Sequence, residues 1–178
     1  MVKKSILSIL SLLMLFSLIP QQAFGATKFI DENSSFEEAN EVLMKYVSTT
    51  EEGVFFDVEA AINEGESEFV IETGKMLNEL NDMYNPSEED VVTPLISLPI
   101  WGNWCGPGYG GGPTKDHLDA ACKEHDIAYG REGYFSCTAD ARLIARIGRD
   151  YNKMKTLEKM MAQNVVIYFT AQMAVNCR

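Results

Sequence analysis

The residues with the most chemical potential lie in one stretch of the sequence, from Trp104 to Tyr129. This stretch holds five glycines, two of the four cysteines and both histidines of the chain, and His125 is followed directly by Asp126. An unperturbed imidazole titrates near pH ~6.5, so His125 is suited to act as a general base at neutral pH. A glycine-rich loop can turn several backbone carbonyl groups inwards, and calcium needs such oxygens together with a carboxylate. The residue types therefore indicate a base beside a candidate calcium site.

One helix must carry these residues away from the glycine loop. Thr114 or Asp116 can cap its first turn, and Gly130 is predicted to end it. Because every fourth residue of a helix returns to nearly the same face, His125 is expected on the core-facing side and Asp126 on a flank. A histidine on such a face is more often structural than catalytic, and the neighbouring glycine loop is what favours the catalytic interpretation.

Two more helices are predicted after this one. Thr138 can cap a helix that runs to about Tyr151, and apolar residues recur at helical spacing over 157–175. The second half of the chain is therefore expected to be an α-helical module with a glycine loop in front.

The charge of the chain changes near position 100. Residues 26–99 hold 18 acidic residues and three lysines, whereas residues 100–178 hold eight acidic and ten basic residues. A turn-forming Asn-Pro pair and a run of charge over Asn85–Asp90 indicate a linker or processing loop. We therefore expect an acidic segment over 26–90 and a second unit over 91–178.

The acidic segment is predicted to be helical. Ser35 and Glu38 form a capping box for a helix from Phe36 to about Val47. Apolar residues at helical spacing predict two further helices, one over the residues from Val54 to Ile62 and one around 69–80. The fold class of the whole chain is therefore predicted to be all-α.

The N-terminus is typical of a secretory signal. Lys3 and Lys4 precede an uncharged apolar stretch from Ile6 to Pro20, and small residues follow at a suitable cleavage point, so residues 1–25 are predicted to be a signal peptide. A transmembrane anchor is the alternative, but the apolar stretch is short for a bilayer. The chain is therefore expected to be secreted.

The four cysteines all lie in the second half, at positions 105, 122, 137 and 177. In a secreted chain an even number of cysteines suggests disulfides, here two, and counting leaves three pairings open. A zinc site is disfavoured because no Cys-x-x-Cys spacing occurs.

Three short stretches of the second half stand out in order. They are Trp-Cys-Gly-Pro-Gly at 104–108, Ala-Cys-Lys-Glu-His-Asp-Ile-Ala-Tyr at 121–129 and Cys-Thr-Ala-Asp at 137–140. They resemble the motifs of the secreted phospholipase A2 family, which are a Tyr-Cys-Gly-x-Gly calcium loop, a Cys-Cys-x-x-His-Asp-x-Cys-Tyr helix and a Cys-x-Cys-Asp helix start. The resemblance spans about residues 101–149 and leaves the acidic segment unexplained. It implies a core of two antiparallel helices with a glycine-rich calcium loop.

The chain departs from the family at three cysteine positions, where it has Ala121, Ala128 and Ala139. The last two would be partners in one bridge, so both ends of that bridge are replaced together. This reduced pattern is similar to bacterial, fungal or viral members of the family. The resemblance implies a disulfide between Cys105 and Cys122, which leaves Cys137 to pair with Cys177 by default.

The resemblance also implies a reaction, the calcium-dependent hydrolysis of the sn-2 ester of a glycerophospholipid by an activated water. His125 would be the general base, Asp140 would hold the far side of its imidazole ring, and Tyr129 would support that pair. The implied calcium ligands are the carboxylate of Asp126 and the carbonyls of Trp104, Gly106 and Gly108. The amide of Gly106 would also complete the oxyanion hole.

The expected partner is a phospholipid membrane or micelle surface, and we expect a monomer that does not bind nucleic acid. Ile100, Trp101 and Trp104 are the candidates for membrane contact, because indole rings suit the lipid interface. The acidic segment is interpreted as an intramolecular pro-segment, with a permanent accessory domain as the alternative.

Two other functions compete with lipid hydrolysis. In the first, Cys105 would be the nucleophile of a peptidase or amidase with His125 as its base. In the second, the chain would be a phospholipase A2-like toxin or membrane-binding or surface-binding module without catalytic activity.

Overall fold

A computed structural model of the protein describes residues 29–50, 52–84, 99–108 and 110–177. The predicted signal peptide and the predicted linker lie outside these residues. Within them the chain is mostly helical, with one two-stranded antiparallel sheet. None of the described helices is long and apolar enough to cross a membrane. The predicted helical class is thus confirmed in outline, and the small sheet is an addition to it.

The acidic segment forms three helices and the sheet. Their bounds are α1 Phe36–Leu43, β1 Val47–Thr50, β2 Gly53–Phe56, α2 Val58–Asn63 and α3 Glu68–Tyr84, with a 3-10 turn over Met44–Tyr46 after α1. The capping box of α1 is present, since Ser35 accepts a hydrogen bond from the Glu38 amide and the Glu38 carboxylate accepts one from the Ser35 amide.

The helix predicted from Val54 to Ile62 is wrong in its first half, because Gly53–Phe56 is a strand. Long-range contacts with α3 hold this stretch extended. The side-chain amide of Asn78 donates to the Phe56 carbonyl at 2.9 Å, and its oxygen accepts from the Phe56 amide at 2.8 Å. The Phe56 ring also packs over Gly74, where any side chain would collide with it. Local apolar spacing carries no information about these partners.

The described part of the second half contains three helices. Their bounds are α4 His117–Glu132, α5 Cys137–Asp150 and α6 Thr156–Asn176, with a 3-10 turn over Tyr151–Lys153 between the last two. The ion pairs Glu132–Arg142 and Glu124–Arg146 join α4 to α5 in opposite sequence order, so these two helices are antiparallel.

Two predicted helix ends in this half are wrong. Helix α4 continues past Gly130 to Glu132. Gly133 caps its end, with a φ of 93° that suits glycine and an amide that donates to the Tyr129 carbonyl. Asp116 caps α4, as one of the two predicted alternatives, but α5 is capped by Ser136 instead of Thr138. Ser136 lies before the first helical residue, where its hydroxyl can reach the free Ala139 amide.

Both predicted disulfides are present. Cys105 is bonded to Cys122 with a Cα–Cα distance of 5.1 Å, and Cys137 to Cys177 with one of 5.8 Å. The first bond ties the glycine loop to α4, and the second ties the end of α6 to the start of α5. Because Cys105 is in a disulfide, the alternative in which it acts as a nucleophile is wrong.

Helix α6 is shared by two apolar cores. One side of the helix, including Ile167, belongs to the core of the acidic segment, and another side, including Met161 and Ala162, packs with α4 and α5. The Phe36 ring of α1 also lies edge-on against Tyr151 at 5.6 Å and touches Gly148. The acidic segment is therefore packed directly against the helical module.

Candidate active site

A buried histidine and a buried aspartate form the centre of the site. The Nε2 of His125 on α4 lies 2.8 Å from Oδ1 of Asp140 on α5, and the two side chains are 6% and 1% exposed. A carboxylate can only accept a hydrogen bond, so Nε2 must carry the proton and donate it. The neutral imidazole then has its free electron pair on Nδ1, and within the described residues this atom has no hydrogen-bond partner.

Two further side chains bind the same carboxylate. The Tyr129 hydroxyl donates to Oδ1 of Asp140 at 2.6 Å. The side-chain nitrogen of Gln172 on α6 donates to Oδ2 at 3.3 Å and to the Tyr129 hydroxyl at 3.1 Å. The structure thus places His125, Tyr129 and Asp140, which the resemblance grouped, in contact with one another. Gln172 joins them, although nothing in the sequence pattern indicated it.

The imidazole ring is enclosed by aromatic side chains. Its centroid lies 4.1 Å from that of Tyr129 and 4.7 Å from that of Phe169 on α6, the latter edge-on. This burial lowers the pKa of His125, while the hydrogen bond and the charge of Asp140 oppose that change. Burial also raises the pKa of Tyr129, as does its hydrogen bond to Asp140. The environment therefore favours a neutral imidazole and a protonated phenol at neutral pH.

The glycine loop is organised by one fully buried carboxylate, that of Asp119 in the first turn of α4. Its Oδ1 accepts from the backbone amides of Asn103 at 2.9 Å and Trp104 at 2.7 Å, and its Oδ2 accepts from that of Lys115 at 2.8 Å. The Cβ of any other residue at Gly102, which has φ of 62°, would overlap this carboxylate. Asp119 is not among the site residues predicted from the sequence. Its position, in the first turn of a helix that follows a glycine loop, could have indicated that it binds backbone amides there.

The predicted calcium ligands lie on this loop and the adjoining helix. Gly106 and Gly108 have φ angles of 143° and 65°, which favour glycine. The Asp126 carboxylate approaches the loop at Gly110, where the Cβ of any other residue would lie 3.2 Å from Oδ2. Burial raises the pKa of Asp126 to about 6. The loop and the carboxylate are thus neighbours, joined through the Cys105–Cys122 bond one turn before Asp126.

The oxygen atoms of this loop and of the Asp126 carboxylate are of the kind that bind a hard cation such as calcium. Within the described residues, the carboxylate of Asp126 has no hydrogen bond or ion pair, and no hydrogen bond reaches the carbonyl oxygens of Trp104, Gly106 or Gly108. No three side chains of the His, Cys, Asp or Glu types come together as a metal site in that part of the chain. A site made of one carboxylate and backbone carbonyls would contain only one such side chain, and oxygen ligands of this kind are those that calcium takes.

The three residues proposed for membrane contact are only partly exposed. Ile100, Trp101 and Trp104 pack against the second apolar core. The Trp101 indole donates to Asp116 at 2.7 Å, the Trp104 indole donates to the Gly112 carbonyl at 3.0 Å, and both rings therefore have structural contacts. The most exposed aromatic residues of this half, among those the structure describes, are Tyr134 and Phe135 in the turn between α4 and α5.

The three alanines that stand at cysteine positions of the resembling family line one small cavity. Ala121, Ala128 and Ala139 surround a space of about 80 Å³ between α4 and α5, with His125 at its wall. A space of this size can hold only a few water molecules. The cavity is too small for an acyl chain, so it reflects the small side chains at this helix contact.

No protein-family model matches the chain. No solved structure matches it significantly either. The candidate function therefore depends on the geometry of these residues and on the three motifs that resemble those of phospholipase A2.

Proposed function

We propose that this chain is a secreted, calcium-dependent phospholipase A2 that hydrolyses the sn-2 ester of glycerophospholipids with a water activated by His125. The observation that carries the proposal is the buried bond between His125 Nε2 and Asp140 Oδ1, which leaves Nδ1 as the only free base of the ring. The carboxylate of Asp126, on the next residue and beside a glycine loop, supports it, because no partner for that carboxylate lies among the described residues.

His125 would take the proton of the attacking water on Nδ1 and return it to the leaving alcohol. Asp140 would keep the ring in the tautomer that allows this and would stabilise the imidazolium as it forms. The lowered pKa of His125 keeps the base unprotonated at neutral pH. Tyr129, which donates to the same carboxylate oxygen, would hold Asp140 in place.

Calcium would be held by the Asp126 carboxylate and the carbonyls of Trp104, Gly106 and Gly108, and when bound it would polarise the ester carbonyl. The backbone amide of Gly106 would donate to the oxygen that becomes negative as the water attacks. Asp119 would keep the loop in shape, because it binds three of its flanking amides.

A phospholipase A2-like toxin or membrane-binding module without catalysis is the second candidate. It needs only a surface that contacts lipid, and Tyr134 and Phe135, which are 79% and 59% exposed in one short turn, would supply one. Aromatic rings of this kind suit a lipid interface whether or not the protein cleaves the lipid. Activity measurements separate the two candidates.

The test is fatty-acid release from sn-2-labelled phosphatidylcholine vesicles, with calcium or with excess chelator, by the chain lacking residues 1–25. Release should require calcium and should fall at least about 100-fold in His125→Gln, which removes the base. His117→Gln, which changes the other histidine of the chain, is the matched control and should retain activity. Because the acidic segment is interpreted as a pro-segment, the assay is repeated after proteolytic cleavage near Pro86. Vesicle binding without release both before and after this cleavage would reject the enzyme in favour of the binding module.

A further inference from the structure

Gln172 is a polar residue of α6 whose side chain reaches the buried histidine–aspartate pair from a third helix. Its nitrogen has two hydrogens, and it donates to two acceptors, Asp140 Oδ2 at 3.3 Å and the Tyr129 hydroxyl at 3.1 Å. Both residues belong to the network that contains His125. Both hydrogens of the amide therefore hold this network.

The two oxygens of Asp140 are held in different ways. Oδ1 accepts from both His125 and Tyr129, whereas the side-chain donor to Oδ2 is Gln172. The carboxylate turns about its Cβ–Cγ bond, and a hydrogen bond to either oxygen resists that rotation. The bond from Gln172 to Oδ2 therefore adds, from the other oxygen, to the restraint that His125 and Tyr129 place on Oδ1.

The disulfide between Cys137 and Cys177 stabilises this arrangement. Cys137 lies three residues before Asp140 on α5, and Cys177 lies five residues after Gln172, directly beyond α6. The covalent bond therefore joins the two helices close to the contact between their side chains. Phe169, one helical turn before Gln172, packs against the His125 ring and keeps the same helix in register with the site.

We propose that Gln172 is a positioning residue for the reaction proposed above, one that holds Asp140 through Oδ2 and Tyr129 through its hydroxyl so that His125 presents Nδ1 to the water. This inference rests on the proposed function for its catalytic meaning. The structural claim, that Gln172 restrains the hydrogen bond between His125 and Asp140, does not depend on lipid cleavage. A separate experiment measures this restraint.

The variants are Gln172→Met, which keeps the length and loses the donor, and Gln172→Glu, which keeps the shape and replaces the donor with an acceptor. Gln163→Met is the matched control: Gln163 is a glutamine of the same helix whose side chain contacts Phe36 and Asn40 of α1 instead of Asp140. Circular dichroism establishes that each variant is folded.

The first readout is the hydrogen-bonded Nε2 proton of His125, observed by NMR in the calcium-free protein without lipid. Both Gln172 variants should lose or broaden this signal through faster exchange with water, and Gln163→Met should retain it. An unchanged signal in both Gln172 variants would overturn the proposal, even if the protein proved to have no lipase activity.

The second readout is steady-state hydrolysis of phosphatidylcholine vesicles. Loss of the hydrogen bond from Gln172 to the Asp140 carboxylate should lower kcat about tenfold and leave KM within about twofold in both variants. A raised KM with unchanged kcat would assign Gln172 to lipid binding and refute a positioning role. If the protein hydrolyses no lipid before or after cleavage near Pro86, but the NMR signal changes as expected, the proposed function is rejected and the restraint of Asp140 by Gln172 stands.

Discussion

Replacement of Asp119 with asparagine should destabilise the protein by removing the acceptor that shapes the glycine loop. The carboxylate is fully buried and accepts three backbone hydrogen bonds from the loop and its flanks, two on Oδ1 and one on Oδ2. An asparagine has one oxygen. If that oxygen keeps the amides of Asn103 and Trp104, its NH2 group must face the amide of Lys115, and two donors then oppose each other.

The magnitude follows from these bonds. A hydrogen bond to a charged acceptor contributes about 1.5–3 kcal/mol, and a buried donor left without a partner costs a similar amount. We therefore expect Asp119→Asn to lower the free energy of unfolding by about 2–4 kcal/mol. The loop should also loosen, so the affinity for calcium should fall even though Asp119 is not among the proposed ligands.

The assay is urea denaturation followed by circular dichroism, together with calcium titration by calorimetry. Glu124→Gln on the same helix is the control, because Glu124 is 59% exposed and its ion pair with Arg146 should contribute at most about 1 kcal/mol. Equal stability of Asp119→Asn and the unaltered protein would refute the reasoning, since it would mean that the three amides find other acceptors at no cost.

Two other perturbations test different parts of the structure. Between pH ~4 and ~6 the calcium-free folded chain should hold a proton on Asp126 that the unfolded chain has released, because burial raises the pKa of Asp126 to about 6. The free energy of unfolding should therefore fall as the pH rises through this window, by on the order of 1 kcal/mol after solvent screening. In urea denaturation, Asp126→Asn should remove this part of the pH dependence. The same pH dependence in both proteins would show that the carboxylate is not buried in solution. Phe36→Ala should lower the free energy of unfolding by about 3 kcal/mol because the ring packs against Tyr151 and Gly148, and a change below about 1 kcal/mol would contradict the packing of the acidic segment on the module.

The sequence predicted helix positions well where local signals act alone. The capping box at Ser35 and the apolar spacing of α3 and α6 are properties of neighbouring residues, and the helices lie where these signals indicate. The largest error, the helix predicted over a strand, falls where distant residues decide the conformation. Phe56 is extended because Asn78, in another helix, binds both of its backbone groups.

The candidate site divides in the same way. The sequence alone determined that His125, Asp126 and Tyr129 share one helix behind a glycine loop, because the periodicity of the helix fixes their relative positions. The pairing of the cysteines and the place of Asp140 were implied by the resemblance, and the structure contains both disulfides and the His125–Asp140 contact. The roles assigned to these residues stay predictions.

Only the tertiary structure decided which residues complete the site from a distance. Gln172 lies 32 residues from Asp140 along the chain and reaches it because α6 packs across α4 and α5. The acidic segment joins the module because α6 is buried on two sides, which an apolar helix allows but does not specify. Local sequence patterns determine which residues can face inwards, whereas packing determines which of those faces meet.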